Sequence, residues 1–174
     1  MNDLGDTFEL TYKRLDTESI VNTVKDDGAG AIATFIGTTR NSFQGKSVTR
    51  LTYEAYTTLC MKSFEKIAWA ARELPSQSKT THTILSASPA GGDRLSKVAI
   101  HHRLGECPVG EASIVIAVSS PHRREAFEAC EFILEEVKKK SQIWKREWYA
   151  EEGSDKNDAA SWKENFPRVA KDGA

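Results

Sequence analysis

Residues 112–124 read ASIVIAVSSPHRR, and this stretch decides the fold. Ala112–Val118 is the most apolar segment of the chain and rich in β-branched side chains, so it reads as a central strand. Ser119-Ser120-Pro121 then signals a helix start, a capping hydroxyl followed by proline at the first helical position. The helix runs to about Lys140. Ala126, Phe127, Cys130, Ile133, Leu134 and Val137 form its apolar stripe, opposed by Glu128, Glu131, Glu135 and Glu136.

Working outward, Val98–Leu104 pairs with this strand through a turn at Gly105–Gly110. Ala31–Thr38 is short and apolar and reads as a buried strand. Residues 40–45 form a polar turn. Val48–Tyr56 alternates, with Leu51, Tyr53 and Ala55 set against Arg50, Thr52 and Glu54, so it is a strand with one wet face. Residues 17–27 predict a short helix stopped by Gly28, and residues 58–74 a longer one ended by Pro75. Ile143–Tyr149 reads as the final strand. Residues 76–94, rich in Ser and Thr with Gly91-Gly92, read as a surface loop insertion. The tail 151–174 is polar, with Trp162 and Phe166 as its large apolar anchors. Strands pair without steady βαβ alternation, which makes the class α+β with a mixed or antiparallel sheet, in one domain over 1–174.

Composition narrows the function. The 174 residues carry 24 Lys+Arg against 25 Asp+Glu, a net charge of −1, so bulk polyanion binding is disfavoured and nucleic acid is not an expected partner. The longest purely apolar run is five residues, Ile114–Val118, too short to span a bilayer, so no membrane role is expected. Residues 1–20 are acidic and lack the apolar segment of a secretory signal. Three cysteines, Cys60, Cys107 and Cys130, show no CxxC spacing; they fit a reducing cytosol, and none reads as a sulfur carrier.

The neutral total hides local cations. His122 and Arg123 open a helix, where positive charge opposes the dipole; they read either as solvated capping residues or as an anion site. Between Val137 and Arg146 lie five basic residues and no acid. Lys138, Lys139 and Lys140 stabilise a helix end and need no function. Lys145 sits beside Trp144, where an apolar neighbour makes an ammonium give up its proton more readily. Arg40 follows a strand directly, at the kind of position where sites gather. His101-His102 point to opposite faces of a strand and predict no metal. No P-loop, GxGxxG, GxSxG or HExxH is present. What remains is a basic, anion-accepting site with lysines and no nucleophile of its own.

The segments GAGAIATFIGTTRN (28–41), LTYEAY (51–56), HRLGECPVGEASIVIAVSSPHRREAFEA (102–129) and LEEVKKKSQIWKREWY (134–149) resemble, in order, the large catalytic subunit of molybdopterin synthase. The resemblance spans about residues 28–165 apart from 75–97. It implies an α/β-hammerhead fold with an added small antiparallel β subdomain. It implies the conversion of cyclic pyranopterin monophosphate to molybdopterin, in molybdenum cofactor biosynthesis, without a resident cofactor or metal. Sulfur would arrive as a C-terminal thiocarboxylate on a small ubiquitin-like subunit, and two large subunits would form the central dimer of a heterotetramer. By resemblance Lys138 and Lys145 are catalytic and touch substrate, Arg40, His122 and Arg123 bind phosphate and pterin, and Arg146 and Glu147 continue the pocket lining. Gln142 stands where the family often has proline, Pro121 where a small residue is common, and 76–94 is longer than the usual link. Two rival classes are an adaptor that only docks a ubiquitin-like partner, and a single-stranded RNA binder using Trp144 and Trp148. The acidic run after Arg146 counts against the second.

Overall fold

The computed structural model describes residues 2–74 and 95–150, together with the backbone pairing of Lys163–Glu164. The loop expected at 76–94 and most of the tail at 151–174 lie outside the described residues. A four-stranded sheet runs β1 (Thr7–Thr11), β5 (Val98–Arg103), β7 (Ala112–Ser120), β2 (Ala31–Thr38), and only the β1–β5 pair is parallel. The apolar segment expected to be central is indeed internal. From Ser113 to Ser120 every residue of β7 is buried.

Helices α2 (Thr57–Arg72) and α3 (Arg123–Lys140) cover one face of this sheet. Phe64, Ile67 and Ala68 of α2 meet Ala126, Ile133 and Val137 of α3 over Ile100, Ile116 and Val118. On the other face the short α1 (Thr17–Thr23) packs Ile20, with Leu15 and Val24, onto Ala99, Val115 and Ala117. The first helix is shorter than 17–27. Asp16 caps it by accepting from the Ser19 N–H at 3.0 Å, and it closes at Val24, four residues before Gly28.

A second, antiparallel sheet is centred on β4 (Lys46–Ala55). β4 pairs with β3 (Ser42–Phe43), β6 (Gly105–Pro108) and β8 (Ile143–Tyr149), and β8 pairs with β9 (Lys163–Glu164). Gln44 and Gly45, with φ of 51° and 77°, make the two-residue turn between β3 and β4 that twist-matched hairpins require. The segment expected to be a plain turn at Gly105–Gly110 therefore contains β6, which crosses from the first sheet to the second. This buries Cys107, which was expected in the turn. Ile143–Tyr149 is a strand as expected but not the last, because β9 follows it. The α+β class and the added antiparallel sheet are those implied by the resemblance.

Three expectations of burial change. β2 is an edge strand whose outward Ile32 and Ile36 remain 38% and 43% exposed, because α1 does not reach that far across the sheet. Phe127 is 67% exposed, and Ala129 takes the buried position in its stead. Ser119 and Ser120 belong to β7 rather than to a helix cap, and His122 occupies the N-cap position of α3 without a side-chain capping bond.

A buried ion pair fastens the N-terminal segment. Arg72 of α2 reaches Asp6 at 2.6 Å, and the same carboxylate oxygen accepts from the Val98 N–H at 2.8 Å. Both partners are nearly inaccessible, so each is the other's replacement for water.

Candidate active site

The sheet and α3 sort the basic residues into two groups. β7 ends at Ser120, opposite Ala31 at the start of β2, and the chain turns at Pro121 into α3. That corner is tight: a Cβ on Gly30 would lie 2.5 Å from the Pro121 carbonyl oxygen, so only glycine lets β2 begin there. The His122 N–H donates to the Ser120 hydroxyl at 3.3 Å, which sets the helix entry. His122 and Arg123 stand exposed at this corner. Neither side chain caps the helix.

α3 then folds back over β7 and β2, running alongside β2. Its 18 residues extend about 27 Å. Its last turn, with Lys138, thus lies near the end of β2 that leads to Arg40, and far from His122 and Arg123. Along the helix axis Arg123 and Lys138 are about 22 Å apart, fifteen residues at helical rise. At the Lys138 end, Ser141 N–H donates to the Val137 carbonyl at 3.0 Å, and the chain enters β8 within two residues. Lys145 follows on β8, opposite Tyr53 of β4. The fold therefore gathers Arg40, Lys138 and Lys145 toward one end of the molecule, and leaves His122 and Arg123 at the other.

The environments differ as well. Lys138 Nζ is 3.6 Å from Glu135 and 36% exposed, a solvated i,i+3 pair. Lys139 and Lys140 both pair with Glu136. Arg40 is exposed. Lys145 is more enclosed, at 28%, and lies 3.3 Å from Glu147 Oε1. Glu147 is 4% exposed, and its second oxygen, Oε2, accepts from the Tyr149 hydroxyl at 2.5 Å. Trp144, expected to crowd Lys145, projects from the opposite face of β8, since successive strand residues alternate. A carboxylate, not an indole, is what Lys145 meets. Arg146 shares Trp144's face and stacks on Trp148 at 4.6 Å, while Arg50 lies over the same ring at 4.3 Å and pairs with Glu106 at 3.2 Å.

The thiols are out of play. Cys60, Cys107 and Cys130 are all buried and free. Burial pushes the Cys60 thiol up to about 12 and Cys130 up to about 11, and it raises Cys107 too. None supplies a thiolate at neutral pH. His102 is fully buried against Tyr53, with Nδ1 2.7 Å from the Arg103 carbonyl oxygen, and burial lowers it to about 4. His101 is also depressed by burial, against the opposing pull of Glu9 at 3.2 Å. The two histidines point to opposite faces, and among the described residues no group of three metal-ligating side chains forms. Nor, among them, is any helix long and apolar enough to cross a membrane.

A family model described as MoaE protein matches residues 10–140. Molybdopterin synthase catalytic subunit 2 of Aedes aegypti is 40% identical over 159 residues, which is 91% of this chain and 88% of that protein. The chain belongs to the molybdopterin synthase catalytic subunit family. The crystal structure of molybdopterin synthase from Staphylococcus aureus aligns with a TM-score of 0.69 at 28% identity, covering 90% of this chain and 96% of that one. A protein–protein complex of subunits 1 and 2 of the molybdopterin-converting factor from Helicobacter pylori shares the fold, with a TM-score of 0.60 at 21% identity over 80% of this chain and 83% of that one.

The MoaE match contains Arg40, His122, Arg123 and Lys138 but stops before Lys145. One further residue that touches this group on β8, Tyr149, carries no signal of function in the sequence. Tyr149 is two positions beyond Glu147, and the strand period alone places it on Lys145's face. Lys163, whose backbone pairs with Lys145, comes from the polar tail, where no strand signal exists.

Proposed function

We propose that this chain is the catalytic subunit of molybdopterin synthase, a sulfurtransferase that converts cyclic pyranopterin monophosphate to molybdopterin using the C-terminal thiocarboxylate of a small ubiquitin-like subunit. The observation that carries the reading is the contrast between thiols and cations. Every cysteine is buried with its thiol held protonated, whereas Arg40, His122, Arg123 and Lys138 stand accessible. A site rich in cations and lacking a nucleophile suits an anionic substrate attacked by a nucleophile delivered from another chain.

In this reading Arg40, His122 and Arg123 hold the phosphate and pterin. The tail's sulfur attacks the pterin side chain. Lys138 orients the thiocarboxylate, and Lys145 moves a proton or stabilises developing charge. In each transfer the tail's sulfur displaces an oxygen substituent from a substrate carbon, forming the carbon–sulfur bond, and water then cleaves the tail's acyl–sulfur bond. The sulfur stays on the substrate and the tail leaves as a carboxylate, so two charged small subunits are consumed per product. No resident cofactor or metal takes part.

The separation along α3 supports a site completed by two copies of the chain. One copy would supply Arg40, Lys138 and Lys145, and the second His122 and Arg123, because about 22 Å is too far for one substrate to bridge within a single chain. The β2 edge, with Ile32 and Ile36 outward, supports pairing of two large subunits. The complex described for the Helicobacter protein supports a small-subunit partner, hence a heterotetramer. The pathway's chemistry is consistent with a cytosolic location.

The test mixes the protein with a thiocarboxylated ubiquitin-like partner and the cyclic precursor, and follows products by mass spectrometry. A dithiolene pterin is expected. Partner binding without any change to the precursor would instead favour a docking adaptor.

A further inference from the structure

Lys145, Glu147 and Tyr149 occupy alternate positions of β8 and so share one face, spaced about 7 Å per step. The middle residue touches both neighbours: Lys145 Nζ lies 3.3 Å from Oε1, and the Tyr149 hydroxyl donates to Oε2 at 2.5 Å. A carboxylate that is 4% exposed has little water to turn to, so each oxygen needs a protein donor. We propose that Tyr149 is a positioning residue for Lys145, acting through Glu147. The inference rests on the sulfur-transfer reading above, in which Lys145 is catalytic.

The argument is geometric. A carboxylate held at one oxygen alone turns about its last bond. With Tyr149 fixing Oε2, Oε1 keeps one direction, and the Lys145 ammonium is aimed by it. Tyr149 is itself braced: the Lys46 ammonium lies 5.5 Å from its ring centroid, and its backbone pairs with Val48 of β4. The hydrogen bond to Glu147 pushes the Tyr149 hydroxyl up to about 12, so it stays a donor through the neutral range. Tyr53, also pushed up to about 12 by burial, sits opposite Lys145 as a neutral neighbour and supplies no competing charge. Lys145 thus has its counter-charge in one place and one orientation.

Tyr149→Phe removes the hydroxyl and keeps the ring beneath Lys46. In the reconstituted assay kcat is expected to fall about tenfold while KM for the cyclic precursor stays within about twofold, since the ground-state contacts remain. The melting temperature of the complex is expected to fall by no more than a few degrees, so assays run well below it read turnover and not unfolding. Placed on Glu147→Gln, the tyrosine substitution should add no further loss, because its effect passes through that carboxylate. Wild-type kinetics in Tyr149→Phe, or losses that multiply in the double variant, would overturn the inference and leave the synthase reading standing. Absence of product from the unmodified protein would overturn the reading and the inference together.

Discussion

The two ends of α3 carry basic residues on opposite physical terms. At the C-terminal end Lys138, Lys139 and Lys140 agree with the helix dipole and sit beside Glu135 and Glu136, so stability alone accounts for their presence. At the N-terminal end His122 and Arg123 oppose the dipole, stay exposed and cap nothing. The contrast teaches where local reasoning is informative. Residues that work against their own helix demand an external anion more strongly than residues that a helix would select anyway. Lys138 must be judged by the α3–β8 corner it stands at and the β2 strand that α3 packs on, rather than by its place in the helix.

The largest expected effect breaks the comparison at its quieter end. Lys138→Ala should lower product formation by at least about a hundredfold while the complex with the small subunit stays intact on gel filtration. The helix itself should lose only a few tenths of a kcal/mol. A Lys138→Ala protein that turns over normally with thiocarboxylated partner would reduce this lysine to the dipole role its position already explains.

Mixing separates the two ends. Lys138→Ala dimers and His122→Ala/Arg123→Ala dimers should each be inactive. After subunit exchange, half the dimers are mixed and each has one intact site of two, so about a quarter of wild-type activity should return. If both groups served one site within a single chain, mixing would restore nothing.

Much of this was legible in sequence because strands and helices announce themselves by period. ASIVIAV is internal, α3 ends at Lys140, and β8 begins at Ile143, all as the pattern of apolar residues predicts. What failed depended on partners far away in the chain. GECP looks like part of a turn, and it becomes β6 only because β4 offers it an edge, with Cys107 opposite Leu51 and Gly105 opposite Tyr53. The Ser119-Ser120-Pro121 cap signal was overridden because β7 extends through both serines, with Lys97 N–H donating to the Ser119 hydroxyl at 2.9 Å. In the site, residue identities were readable but their grouping was not. That grouping follows from the direction α3 takes over the sheet. Tyr149 was hidden for a simpler reason, since a tyrosine in a strand ordinarily signifies packing.

A third prediction guards the comparison against a trivial cause of acid inactivation. Loss of activity in acid has a source in the core that lies outside the site. His102, buried, titrates at about 4 against an ordinary value of 6.5. Its contribution to stability is present above about 6.5 and lost as pH falls toward and through 4, on the order of 3 kcal/mol in all. Unfolding free energy measured by denaturant should therefore decline across that window in wild type. In His122→Ala the decline should persist unchanged, because it arises in the core; a decline that vanished in this variant would show that His102 is not its source.

The smallest effect is the most direct test of the contrast. Arg123 occupies the first helical position of α3, where a carboxylate is favoured and a guanidinium is not. Arg123→Glu should therefore stabilise the protein, by about 0.5–1 kcal/mol, seen as a rise of about 2 °C in melting temperature. The same change should raise KM for the anionic precursor strongly, since a phosphate-binding charge has been reversed. Stability and activity would move in opposite directions from one substitution. A variant that is both less stable and fully active would show that Arg123 serves the helix through contacts with neighbours, and that the N-terminal end holds no anion.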